Sequence, residues 1–200
     1  DNTAKFGDYV AENFTKISNN LNNIDNTCGF RLFFCSFLWK MKIQLESITR
    51  QDRSFSMMFN PRLSDLFYWH FHPEYELVYI EGATGTRHIG EHISTYEGSD
   101  LALIGPNIPH LNFDYGVETD YREVVVHFKK EFIEKHFHGV PELSPINKLF
   151  EKSKQGLAFN GKIKKQIGER IFNLEKADPF HQYLQIVEIL QLLADVPDVD

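Results

Sequence analysis

The residues in this chain best suited to chemistry lie in the run Trp69-His-Phe-His-Pro-Glu-Tyr-Glu76. His70 and His72 are two apart, and on a β-strand residues i and i+2 face the same way. Glu76 keeps that parity four residues later, with Pro73 as a bend between them. Two imidazoles and a carboxylate on one inward face suit a divalent ion such as Zn, Fe, Mn or Ni. The same groups would equally suit hydrogen bonding to a polar ligand at the mouth of a β-structure. A second segment, Tyr96-Glu-Gly-Ser-Asp-Leu-Ala-Leu-Ile-Gly-Pro-Asn-Ile-Pro-His110, runs from a glycine turn through a strand to a Gly-Pro-Asn loop that delivers His110. On a neighbouring strand, His110 would converge on His70 and His72.

The elements that must position these groups follow from pattern. From residue 42 to 128 the short runs LVYI, HIGEHI, DLALI and EVVVHF are rich in β-branched and aromatic residues, and Gly, Asp and Pro clusters punctuate them. HIGEHI predicts a hairpin with Gly90-Glu91 in a two-residue turn. Many short strands at close spacing predict a sandwich or barrel. From Lys129 the period becomes helical. A short helix is expected over 130–137. A second is capped by Ser144 with Pro145 at its first position and stops near Gly156, and a third starts near Asn160. A last one opens at Asp178-Pro179 and runs to Ala194. Its apolar arc, with Ile186, Ile189, Leu190 and Leu193 beside Phe180, Tyr183, Leu184 and Val187, is wider than the ~100° one core needs. The expectation is a helix with two partners, its own domain and a second chain, so those four residues are predicted at a homodimer interface. The alternative is a helix sunk between others of the same chain.

Composition bounds the function. The chain has 200 residues, 42% apolar and 24% charged, with net charge −7. A module that binds nucleic acid directly needs a basic excess to neutralise phosphate, which these residues lack. Cys28 and Cys35 fit neither a zinc ribbon nor a redox CxxC, and two cysteines make no disulfide framework; a reducing cytoplasm is the expected compartment. The apolar run 28–39 is too short for a membrane span and is interrupted by Arg31. No GxGxxG, P-loop or GxSxG occurs. Residues 1–40 are Asn-rich, then aromatic, and unlike the rest. Met41 is the expected initiator and the preceding stretch an artefactual extension; a packed helix through Tyr9, Phe14 and Ile17 is the alternative.

The two histidine segments together resemble the paired cupin motifs. His70, His72, Glu76 and Gly82 match the first. Gly98, Pro106 and His110 match the second, with Asn107 where a glycine is common and Asp114 where an asparagine is usual. The resemblance implies a mainly β fold, a jelly-roll-like double-stranded β-barrel over 41–128, followed by a helical dimerisation segment over 129–200. With the helical tail VPELSPINKLFEKSKQGLAF, the stretch from Met41 to about Ala194 is similar to the N-terminal sensor domain of AraC-family regulators. That implies a small polar effector, such as a carbohydrate, a homodimer, no membrane, no required cofactor, and DNA contact only through a helix-turn-helix domain beyond residue 200. His70, His72, Glu76 and His110 occupy the four metal-binding positions of metal-dependent cupins. They are the expected ligand-binding set, with or without a divalent metal. The rival is a stand-alone metal-dependent dioxygenase or isomerase. Arg87 could grip a carboxylate or sugar hydroxyl, or be a solvated strand residue. Tyr68, Trp69 and Tyr79 could stack on a sugar or fill the core. His92, His127, His136, His138 and His181 show no partner pattern and read as structural or exposed.

Overall fold

The computed structural model describes residues 43–48, 53–62 and 69–197. The extension 1–40, its Tyr9, Phe14 and Ile17, Met41, both cysteines and Tyr68 lie outside the described residues.

Among the described residues, ten strands form two five-stranded sheets. One is ordered β1 (Gln44–Leu45), β3 (Trp69–Phe71), β8 (His110–Leu111), β5 (Gly85–Ile89), β6 (His92–Tyr96). The other is ordered β10 (Leu157–Ala158), β7 (Ser99–Ile104), β4 (Tyr75–Glu81), β9 (Arg122–Phe128), β2 (Phe55–Phe59). All pairings are antiparallel except β1 with β3. The fold is thus mainly β with C-terminal helices, and the described strands stay in two ladders. The predicted hairpin forms, with Ile89 paired to His92 across Gly90-Glu91.

The central strands of the second sheet are apolar on both faces, so that sheet is the middle of three layers. Val78, Ile80, Ala102, Ile104 and Val125 pack toward Ile89 and Tyr96 of the first sheet. The alternate residues Leu77, Tyr79, Leu101, Leu103, Val124 and Val126 pack toward the helices. Strict alternation explains this: side chains on a strand point to opposite faces in turn. Every even residue of β4 from Glu76 therefore faces the space between the sheets.

The third layer is α1 (Lys130–His136), α2 (Ser144–Ser153), α3 (Lys162–Asn173) and α4 (Pro179–Ala194). Asp178 caps α4 as expected; its carboxylate accepts the N–H groups of Phe180 at 3.0 Å and His181 at 3.2 Å. Ser144 does not cap α2. A short 3-10 turn, Pro141–Leu143, precedes it, and the Pro141 carbonyl accepts the Ser144 N–H, so the helix begins at Ser144 itself. Gly168 brings α3 onto β4: a Cβ there would lie 2.1 Å from the Tyr79 ring.

The expectation for Ile186, Ile189, Leu190 and Leu193 is corrected. All four are at most 1% exposed within the single chain, in one apolar cluster with β4, β7, β9, α2 and α3. They have no surface left to offer a second chain. The wide arc of α4 has two partners, but both belong to its own chain. Phe180 and Leu184 are the large apolar residues that α4 leaves exposed.

Candidate metal centre

His70 and His110 stand opposite one another in the β3–β8 ladder, with ring centroids 4.2 Å apart. Beyond Phe71 the chain leaves this sheet. His72 lies in the crossing, Pro73 and Glu74 form a bend, and β4 starts at Tyr75 in the other sheet. The expected single strand carrying His70, His72 and Glu76 on one face is therefore replaced by a strand, a crossing and a second strand. The groups still converge, because the crossing delivers Glu76 onto the face of β4 that looks back at β3. The Gly-Pro-Asn loop supports the crossing: the Asn107 N–H donates to the His72 carbonyl at 2.8 Å. Asn107 has φ 58°. Asparagine tolerates that left-handed conformation, which accounts for its standing in a glycine position.

The convergence is centred on one oxygen. Glu76 Oε2 lies 3.0 Å from His127 Nε2, 3.1 Å from His72 Nε2 and 3.4 Å from His110 Nε2. His70 Nε2 lies 3.3 Å from Glu46 Oε2. His70, His72, Glu76 and His110 are all buried, and one ligand atom from each falls within 4.8 Å of the others. An overlapping group joins Glu46, His72 and His127 under the same limit.

The ring hydrogen bonds decide what these nitrogens can do. His110 Nδ1 donates to the Ile108 carbonyl at 2.8 Å, and His72 Nδ1 donates to the Glu74 carbonyl at 3.2 Å. A carbonyl only accepts, so each Nδ1 carries a proton and each ring turns its Nε2 toward Glu76, where it can donate a proton or, deprotonated, offer a lone pair. Electron-pair donors converging on a carboxylate repel unless a proton or a cation lies among them. Imidazoles fixed through the far nitrogen by backbone carbonyls are the usual outer support of a metal site. The donor set fits a divalent transition ion.

Electrostatics agree. Burial alone would raise the Glu76 carboxyl, but His110, His127 and His72 outweigh it and hold it well below the carboxylate range. Burial opposes charging His72, yet its hydrogen bond and attraction to Glu76 win and raise it above 6.5. Glu123 behaves oppositely. Burial, then the charges of Asp114 and Glu76, push its carboxyl up to about 9, so it is a neutral acid at pH 7. Glu123, Asp114 and His127 line the same cavity as His70, Glu76 and His110. Its free volume is about 20 Å³. That holds one ion or water, since a water needs roughly 10–15 Å³ by this measure.

Sequence reasoning missed His127, Glu46, Asp114 and Glu123. His127 belongs to the cluster rather than to the unpartnered histidines; His92, His136, His138 and His181 are exposed as expected. One signal for His127 was available: Glu123, Val125 and His127 share a parity in an otherwise apolar strand, so two polar groups face one interior.

Arg87 is corrected on both expectations. It is neither solvated nor part of the cluster. Its Nη1 donates to both carboxylate oxygens of Asp100, at 2.6 and 2.8 Å, and both residues are buried. Tyr79 is core, and Trp69 is half-buried, edge-on to His88. Among the described residues, no helix is long and apolar enough to cross a membrane. No protein-family model and no curated protein matches the chain.

Proposed function

We propose that this chain is the ligand-sensing half of an AraC-type transcription regulator, built on a cupin-like domain that engages its effector at His70, His72, Glu76 and His110. The observation that carries the reading is the meeting of two sequence segments at one buried point. The HxH–Glu segment and the glycine-to-His110 segment bring four ligand atoms within 4.8 Å. That pairing underlies the resemblance to the sensor cupins.

The three layers support a sensing role. Strands β4 and β9 hold Glu76 and His127 toward the site and Leu77, Val124 and Val126 toward the helices. Occupancy of the site is therefore one sheet away from the C-terminal helical layer. An effector that binds two helix arrangements unequally shifts their balance by its differential affinity. In the full-length protein, that balance would set how helix-turn-helix domains beyond residue 200 meet DNA as a dimer in the cytoplasm. A divalent metal, held by the same four residues, would supply Lewis acidity and a fixed positive charge that orients a polar effector.

The test is DNA binding by the full-length protein with and without candidate effectors and divalent ions. Effector-dependent binding, lost on His72→Ala, is the expected result. DNA affinity indifferent to every effector and ion would sink the sensor reading.

A second reading is favoured by the same three imidazoles and carboxylate: a stand-alone metal-dependent cupin enzyme. It requires turnover by the metal-loaded chain that disappears in His72→Ala.

A further inference from the structure

Glu123 lines the same cavity as the metal donors but belongs to neither donor group. It sits on β9 with the parity of His127, and its ladder partner is Ile80, four residues beyond Glu76. At about 3.3 Å per residue, the backbones of Glu123 and His127 stand about 13 Å apart. The cavity therefore has two ends, the imidazoles around Glu76 at one and Glu123 at the other, with Met58, Val78, Phe113 and Val125 among its walls. Glu123 is only 3% exposed, and its carboxyl makes no hydrogen bond or ion pair with any described residue. An interior carboxyl is normally paired, because burial without a partner is costly.

The neighbours of Glu123 are committed elsewhere. The buried guanidinium of Arg87 is held by Asp100. The Tyr121 hydroxyl donates to Asp114 at 2.6 Å, and the Tyr96 hydroxyl donates to the Phe113 carbonyl at 2.6 Å. Arg62 is exposed, its guanidinium 4.7 Å over the Tyr121 ring. Among the described residues, no lysine or arginine lines the cavity, whereas Glu46, Glu76, Asp114 and Glu123 all do. That imbalance selects the guest. An anion would be repelled by the carboxylates. A divalent ion needs more donors, and neither Glu123 nor Asp114 belongs to a group of three that could hold one. A primary ammonium carries one positive charge and only N–H donors, the complement of carboxyl oxygens. Asn112 lines the same cavity with its Nδ2 buried and without an acceptor. Turned over, the same amide offers its oxygen instead. The free volume of about 20 Å³, against roughly 10–15 Å³ for one water, admits an ammonium head and little more.

We infer that Glu123, Asp114 and Asn112 form a subsite for a primary ammonium group, and that the effector of this domain is a small amine. The subsite stands on the cavity alone; its role in sensing rests on the sensor reading above. Glu123 is a neutral acid at pH 7. An arriving ammonium converts it to a carboxylate: the carboxyl proton leaves to solvent, and the carboxylate accepts an N–H of the ammonium, which keeps its own charge.

Methylammonium chloride titrated into the chelator-treated chain, against potassium chloride at the same ionic strength, tests it. Calorimetry at pH 7 in buffers of different ionisation enthalpy reads the proton. The expected result is saturable binding of methylammonium with net proton release. Potassium and tetramethylammonium, which is larger and has no N–H, should not bind. Glu123→Gln keeps the side-chain size; it should weaken binding roughly tenfold or more, as loss of a charged hydrogen bond does, and abolish the proton release. An equal response to methylammonium and potassium overturns the inference. So does binding without proton release, or Glu123→Gln binding like the parent. The proton count in the unaltered chain is decisive even if a variant fails to fold. Absence of methylammonium binding overturns the subsite but leaves a sensor with another effector, which the full-length DNA assay examines separately. Conversely, methylammonium bound by a full-length protein whose DNA affinity ignores amines and every other effector would sink the sensor reading and keep the subsite.

Discussion

Glu76 on β4 lies directly opposite His127 on β9 in the ladder, and their side chains meet at 3.0 Å between the two sheets. That contact places the negative charge of the site on the sheet that also carries the helical layer.

Glu76→Gln keeps the size of the side chain and removes the charge. Metal affinity should fall by at least about 10- to 100-fold, the range seen when a site loses only an outer supporting group, since Glu76 is itself one of the donors. The pH dependence should change as well. Glu76 is held below its ordinary value, so it contributes stability above the carboxylate range that is lost as pH falls through its lowered value. His72 is raised, so it contributes stability below 6.5 that is lost as pH rises through its raised value. The metal-free pair therefore stabilises most between those limits. Urea melts at pH 6 and pH 8 should show a loss at pH 8 that is smaller in Glu76→Gln. An equal loss in both proteins would mean that the pair does not titrate together.

Glu123 makes a separate prediction of larger size. Its folded value is about 9 against 4.5 unfolded. Between those values the unfolded chain releases a proton that the folded chain keeps, so stability falls as pH rises. By pH 7 the cost is on the order of 3 kcal/mol, at about 1.4 kcal/mol per unit. Glu123→Gln removes it, and the variant should be more stable than the parent at pH 8 and nearly equal at pH 4.5. A variant no more stable at pH 8 would show that Glu123 ionises freely in the fold.

How far the sequence could lead is clear from which contacts are local. His70, His72 and Glu76 sit within seven residues, and His110 ends a loop with its own Gly-Pro-Asn signature; short-range pattern reaches all four. His127 joins them only through the β4–β9 register, 51 residues away from Glu76. Nothing within a strand states its register with another. Glu46 depends on a two-residue parallel strand too short to have a periodicity. Strand parity points His72 at the true convergence, but the bend at Pro73-Glu74 changes sheets, so a strand, a crossing and a second strand bring the groups together. For α4, the width of the apolar arc was legible, but pattern cannot say whether the second partner is an α-helix of the same chain or another copy.

Arg87 and Asp100 yield a stability prediction with no functional component. Burial raises the Asp100 carboxyl despite the attraction of Arg87, so the pair is held at a cost. Arg87→Ala leaves a buried carboxylate without its countercharge, which typically costs about 3–5 kcal/mol; protonation of Asp100 limits the loss at acid pH. Replacing both residues, Arg87→Met with Asp100→Leu, should recover most of it. Metal affinity should stay at the parental level in both variants. A selective loss of ligand binding in a stably folded Arg87→Ala would return Arg87 to the site.

Leu190 decides between core and interface on α4. It is fully buried with Ile186 and Ile189 in the cluster shared by the helices and the middle sheet. Truncation there removes methyl groups from a packed interior and leaves a cavity, so Leu190→Ala should destabilise by about 2–5 kcal/mol. Phe180 is 65% exposed, and Phe180→Ala should change stability by less than about 0.5 kcal/mol. Because Leu190 has no free surface, its truncation should lower the denaturation midpoint by the same amount at every protein concentration, whatever the oligomeric state. A loss that grows on dilution, with chains coming apart before they unfold, would put Leu190 back between subunits.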